Sequence, residues 1–278
     1  MTKILVVGCS MTNGHGLVAT ATDPYKLDIT DSKLWVNRTC KQVCNDAQII
    51  NLARSGRNNH WIFTETACAL ARDSYDVVIV AWSELARYNF NVGLELYPTH
   101  TTLGLAQDIN INPGVMVPAK WLTKLGDQLR KLHNDHWMLL DLIKYVNILK
   151  EIQITARNSK LFFVNTLFTF PLDYFEHKPF INLSTLPNYT QDLLQGETRD
   201  DNEVEKLYNM IYNQYNEYGG IHKELWLNLY DSFVSMQIDS AQKNDPHPGY
   251  KSQQIFSDYL IPVLKEKLNE TMHNNNQR

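Results

Sequence analysis

Three short, almost wholly apolar runs lie in the first third of the chain and constrain its fold more than any other feature. They are Ile4-Leu5-Val6-Val7, Ile49-Ile50-Asn51-Leu52-Ala53 and, after Asp76, Val77-Val78-Ile79-Val80-Ala81-Trp82. Each is too short for a buried helix, and none alternates polar with apolar residues as a strand with one wet face would. Runs of this kind belong to central strands covered on both sides. Between them, residues 31–46 and 60–72 carry helical patterning, the first with Asp31 or Ser32 as its cap. Strand, helix, strand, helix, strand in this rhythm predicts right-handed crossovers in a parallel sheet.

A fourth strand is expected over residues 160–166, after a helical stretch at 121–157 that reads as two helices. Residues 97–118, interrupted by Thr, Asn, Gly and Pro, read as a long loop over the sheet edge, and residues 171–200 as loop. Helices are expected over 203–218, 225–238 and 250–269, the last kinked or divided at Pro262. The expectation is a single domain over residues 1–270, a three-layer α/β/α sandwich of flavodoxin-like type around a parallel sheet. Insertions fall around 97–157 and 171–230, and residues 271–278 form a fraying tail.

A net charge of -4 offers no basic footprint, so nucleic acid is not an expected partner. No run approaches the roughly 20 apolar residues of a membrane helix, so no membrane partner is expected. The opening apolar run is too short for a signal-peptide core, which leads to the expectation of a cytoplasmic protein as synthesised. Cys9, Cys40, Cys44 and Cys68 do not have the spacing of common zinc sites and are read as thiols. Gly8, Gly14 and Gly16 do not make a dinucleotide fingerprint, and no phosphate-binding glycine loop with lysine follows them. Neither a metal nor a cofactor is expected.

In open parallel sheets, ligands bind beyond the carboxyl ends of the strands. Three polar clusters fall at such ends: Gly8-Cys9-Ser10, Gly56-Arg57-Asn58-Asn59 and Trp82-Ser83-Glu84, with Arg87 beyond. Near the other end of the chain stands Asn244-Asp245-Pro246-His247-Pro248-Gly249-Tyr250. A serine needs a general base to take its proton and a third group to orient that base, roles that Ser10, His247 and Asp245 can fill. An acyl intermediate needs donors aimed at its oxyanion, and the amides of Ser10 and Gly56 are candidates. Trp82 is a candidate pocket wall. Arg87 is a candidate for binding an anionic group or for clamping Glu84, and Arg54 and Arg57 invite the same idea. His15, in Asn13-Gly14-His15-Gly16, is an alternative base.

Gly-x-Ser after the first strand, Gly followed by Asn after the second, and Asp-x-His-Pro before the final helix together resemble the SGNH or GDSL hydrolase superfamily. The likeness is nearest to compact members found in bacteriophage genomes, and it spans nearly the whole chain in order. It implies an α/β/α sandwich that hydrolyses acyl esters, among them acetyl esters of carbohydrates, with Ser10 as nucleophile, His247 as base, Asp245 as its partner and Gly56 as an oxyanion donor. The chain departs from the pattern in several places. Cys9 and Met11 replace the usual Asp and Leu, and Asn244 stands at the commoner Asp-x-x-His spacing. The third block usually reads Gly-x-Asn-Asp and here reads Ala81-Trp82-Ser83-Glu84, so Ser83, Asn58 or Asn59 would have to supply the remaining donor.

Bland readings compete at each position. Ser10 and Asp245 can be helix caps, His247 a surface turn residue and Gly56 a sharp turn. Two other classes of function use the same residues. One is an acyl transferase using Ser10, and the other is a non-catalytic binding or structural protein, such as a component of a phage particle.

Overall fold

A computed structural model describes residues 1–17, 31–83, 87–92, 95–100, 109–112, 115–117, 135–167, 209, 223–242 and 245–275. The described elements begin with β1 (Lys3–Val7), α1 (Ser10–Asn13), α2 (Trp35–Val43), β2 (Gln48–Asn51), α3 (Asn59–Arg72) and β3 (Val77–Trp82). They continue with β4 (Arg87–Val92), β5 (Glu95–His100), β6 (Ile109–Asn112), β7 (Val115–Val117), α4 (Asp135–Thr155) and β8 (Lys160–Asn165). Last come β9 (Ser240–Gln242), β10 (Asp245–Pro248) and α5 (Tyr250–Asn275). The chain divides into two units, one of Met1–Glu84, Glu151–Phe170 and His222–Arg278, the other of Leu85–Lys150 and Pro171–Ile221.

The first unit is built on a four-stranded parallel sheet in the order β2-β1-β3-β8. The apolar runs form it as their composition requires, with every residue of β3 buried and Leu5 lying between Ile50 and Val78 in register. Because β2 and β3 lie on opposite sides of β1, right-handed crossovers place α2 and α3 on opposite faces of the sheet. The result is the expected three-layer α/β/α arrangement.

On one face α2 packs with α5. Trp35 and Phe256 meet edge to face at 5.3 Å, Phe256 stacks on Phe233 at 4.4 Å, and the Thr39 hydroxyl donates to Ser257 Oγ at 3.0 Å. The helix α2 begins at Trp35, later than its sequence suggests, because Asp31 first closes a turn. Its carboxylate accepts the Lys33 amide at 2.8 Å, and its carbonyl accepts the Leu34 amide at 3.1 Å. The helix α5 runs unbroken through Pro262 from Tyr250 to Asn275, so the chain is not divided there. Pro262 is exposed, so water can take the carbonyl that the missing amide leaves open.

The expected helix over 225–238 is not formed. Two single 3-10 turns, Lys223–Leu225 and Val234–Met236, flank a segment that extends the sheet beside β8. Trp226 bridges Phe163, the Leu227 amide donates to the Phe163 carbonyl at 2.9 Å, and Asn165 and Asn228 bond each other's backbone. These side-chain bonds offer the backbone an alternative to the helix that the apolar spacing suggests.

In the second unit, residues read as a loop over 97–118 include paired strands. β4 and β5 form an antiparallel hairpin with Phe90 opposite Tyr97, and β6 pairs with β7 across an irregularity between Asn110 and Asn112. The expected elements over 121–134, 171–200 and 203–218 lie outside the described residues, Asn209 excepted. Among the described residues no helix is long and apolar enough to cross a membrane.

Candidate functional site

The carboxyl ends of the adjacent strands β2, β1 and β3 carry the three polar clusters, and Ser10 stands on the middle one. The chain leaves β1 through Gly8 and turns at once into the four-residue α1. A Cβ at Gly8 would run into Thr12 Oγ1 and crowd Ala81, so the tight return over the sheet requires glycine there. Ser10 is 4% exposed at the first position of α1. The helix closes at Gly14, whose φ of 78° is left-handed and whose amide donates to the Ser10 carbonyl. The His15 amide donates to that same carbonyl at 3.1 Å, which turns His15 back toward the start of α1.

His247 arrives on a hairpin. β9 and β10 pair antiparallel, and β10 packs against α1. Gln242 Nε2 ties the hairpin to the Gly16 carbonyl at 3.0 Å. At its base, Asp239 caps α5 from outside the helix, its carboxylate accepting the amides of Lys251 at 3.0 Å and Ser252 at 2.9 Å and the Ser252 hydroxyl. Gly249 is needed because a Cβ there would strike that carboxylate. Burial raises the Asp239 carboxyl, but the donors from Ser252 and Lys251 outweigh it and hold it below the ordinary carboxylate value. The Asp-Pro-His-Pro stretch is thus a strand clamped to the start of the last helix.

On this frame the His247 imidazole meets that of His15, with ring centroids 4.6 Å apart. His15 Nδ1 shares a hydrogen bond of 2.9 Å with Ser55 Oγ, and Ser55 Oγ also donates to Asn13 Oδ1 at 3.2 Å. The loop after β2 is thereby fixed to α1. Asp245 opens β10 opposite Gln242, two residues before His247.

The candidate oxyanion donors separate by what they already hold. Gly56 has a left-handed φ of 73°, a conformation that favours glycine. The Asn58 side chain caps α3, its Oδ1 accepting the Trp61 amide at 2.9 Å. Asn59 is a clamp, its Nδ2 donating to the Ser83 carbonyl at 3.1 Å and its Oδ1 accepting the Ser83 amide at 2.8 Å. Ser83 itself is fully buried, and among the described residues its hydroxyl has no hydrogen-bond partner. Ser83 is thus a buried hydroxyl without a hydrogen-bond partner among the described residues, on a segment clamped at two points at the end of β3, and so is a candidate side-chain donor.

Trp82, a candidate pocket wall by sequence, is fully buried with its ring 5.7 Å from Phe163, and packs as a core residue. Arg87 opens β4 in the second unit, opposite His100. Among the described residues no group of His, Cys, Asp and Glu is arranged to hold a metal ion. Ser55, Asn13 and Asp239 carry no motif that marks them as site residues in the sequence. The glycines on either side of His15 are the one local signal of the turn that returns its ring to the site.

No family model matches the sequence, and no curated protein matches it. Among solved structures the chain is similar to TesA, at 13% identity over 96% of this chain and 99% of that one, with a TM-score of 0.45. It is similar to the psychrotrophic esterase EstA from Pseudoalteromonas sp., at 14% identity over 97% and 100% of the two chains, with a TM-score of 0.44. A member of the lipolytic protein G-D-S-L family from Veillonella parvula gives 10% identity over 95% and 98%, with a TM-score of 0.40. Likeness of this degree decides nothing about chemistry, which rests on the residues themselves.

Proposed function

We propose that the protein is a serine-dependent carboxylic ester hydrolase in which Ser10 is the nucleophile, His247 the general base and Asp245 the carboxylate that orients it. The observation that carries this reading is the packing of the His247 strand β10 onto α1, the helix that Ser10 opens. In the first step Ser10 Oγ bonds to the ester carbonyl carbon while its proton passes to the His247 imidazole. The carbonyl oxygen becomes an oxyanion, stabilised by the Ser10 and Gly56 amides and the Ser83 hydroxyl. Collapse of this adduct breaks the bond to the alcohol, which leaves with the proton from His247. Water, deprotonated by His247, then attacks the acyl-serine, and the carboxylic acid departs as Ser10 regains its proton. An alcohol in place of water makes the same residues a transferase. We take acetyl esters of carbohydrates as the substrate class to test first.

Steady-state hydrolysis of p-nitrophenyl acetate by the full chain, together with covalent labelling by a fluorophosphonate, tests the reading. Turnover and label are expected at Ser10, and both are expected to vanish in Ser10→Ala at unchanged fold. Equal rates in the two proteins together with no label at Ser10 would overturn it and leave a binding or structural role.

A further inference from the structure

The Cys9 side chain is committed away from the helix that it precedes. A polar side chain at such a place usually turns onto the free amides of the first turn, but Cys9, the cap of α1, makes no side-chain cap bond. Its carbonyl holds the turn, accepting the amides of Thr12 and Asn13 at 3.1 Å each. The sulfur lies 3.6 Å from Thr166 Oγ1, just beyond the end of β8. Cys9 and Thr166 are both fully buried, so no water competes for either group.

The direction of this contact follows from what Thr166 already does. Its hydroxyl donates to the Trp82 carbonyl, and a hydroxyl has a single proton to give. The proton between sulfur and oxygen is therefore the thiol's, and Cys9 Sγ donates to Thr166 Oγ1. Because β3 lies between β1 and β8, these two bonds join the carboxyl ends of three strands. Each end of the chain of bonds is one residue from a group placed in the chemistry, since Cys9 precedes Ser10 and Trp82 precedes Ser83. Thr166 is itself fixed, its amide donating to the Trp82 carbonyl at 3.2 Å and its carbonyl accepting the Val234 amide at 3.1 Å.

We propose that Cys9 and Thr166 are positioning residues, whose bonds fix the turn that carries Ser10 relative to the segment that carries Ser83. A nucleophile and an oxyanion donor act on one carbonyl group, so a shift of either misplaces the reacting atoms, and a shift of about 1 Å can cost roughly a hundredfold in rate. Neither residue touches the substrate in this role. The role rests on the ester-hydrolase reading, but the direction of the bonds does not, because the thiol proton can be read without turnover.

Kinetics and infrared spectroscopy of the full chain test it. Thr166→Val removes the hydroxyl at matched shape while the backbone bond to the Trp82 carbonyl stays. With p-nitrophenyl acetate it is expected to lower kcat about tenfold with KM little changed. Cys9→Ala, which removes the weaker S–H donor, should lower kcat about threefold. The double variant should lose no more than Thr166→Val, because the thiol acts through Thr166, whereas independent roles would multiply to about thirtyfold. Thr166→Ser, which keeps the hydroxyl, should retain most of the rate. The S–H stretching band that disappears in Cys9→Ala should move to higher frequency in Thr166→Val, as a donor does on losing its acceptor. Wild-type kcat in both single variants, losses that multiply, or an S–H band unmoved by Thr166→Val would each overturn the proposal. If Thr166→Val fails to fold, wild-type kcat in Cys9→Ala overturns it alone. A shifted band in a protein without esterase activity would remove the hydrolase reading and leave the bonds as architecture. Esterase activity indifferent to both substitutions would remove the positioning role alone.

Discussion

The imidazole of His15 lies against that of His247, centroids 4.6 Å apart and planes tilted by 54°. The His15 side is anchored through Ser55 to Asn13, so the contact joins a ring on the hairpin to a fixed point on the loop that follows Ser10. A general base must keep its nitrogen within hydrogen-bond reach of the serine, and a ring wall limits the rotations open to it. His15→Ala is expected to lower kcat about tenfold with KM little changed, as loss of a positioning contact does. His15→Phe, which keeps the ring face, should recover part of the loss. Equal losses in Phe and Ala variants would show that the ring contact is not what matters.

Removing the Ser83 hydroxyl tests its proposed role as a third oxyanion donor. Ser83→Ala leaves both backbone bonds to Asn59 in place, so the loop keeps its position. Loss of one such donor should cost about a hundredfold in kcat, roughly 3 kcal/mol. Full activity in Ser83→Ala would assign the hydroxyl a structural role only.

The cap provided by Asp239 gives a pH signature. Its folded carboxyl is held below the ordinary value of about 3.9, so its stabilising contribution is complete above that value and is lost as pH falls through the lower folded value. Asp239→Asn should cost about 1 kcal/mol at neutral pH, the usual worth of a helix cap. The gap in melting temperature between wild type and variant should stay level above about pH 5 and close below about pH 4. A gap unchanged at low pH would mean that the carboxylate charge contributes nothing.

Cysteine reactivity separates buried from exposed thiols. Burial, with a smaller contribution from neighbouring Cys44 and opposition from Lys41, pushes the Cys40 thiol up to about 12, whereas Cys68 is exposed. Iodoacetamide at mildly alkaline pH should label Cys68 in the native protein and reach Cys40 only after unfolding. Mass spectrometry of the two peptides reads the outcome directly.

The parallel sheet was legible because strands buried on both faces must be continuously apolar, and Val77 to Trp82 admits few other readings. The hairpins of the second unit were missed, although Tyr88, Phe90 and Val92 alternate with polar residues and Gly93-Leu94 and Pro113-Gly114 stand between the paired runs. Threonines, asparagines and prolines in the same stretch favour loops by composition. At residues 225–238 the spacing of Trp226, Leu229 and Phe233 is helical, but the bonds between Asn165 and Asn228 act across 63 residues and have no local signature. The same holds for the site. Ser10 and His247 stand in recognisable surroundings, whereas Ser55 and Asp239 act only through distant partners.

The layer formed by α2 and α5 joins residues from opposite ends of the chain, with Thr39 and Ser257 bonded across 218 positions. Closing so long a loop carries an entropic cost that must be met before the contact returns any stability, which slows assembly. The hairpin with His247 is clamped to the start of α5 and comes into place with it. During refolding, the local helices should therefore recover their circular dichroism signal first. Competence for chemistry should follow as a separate, later phase, set by the rate at which the final helix finds the second.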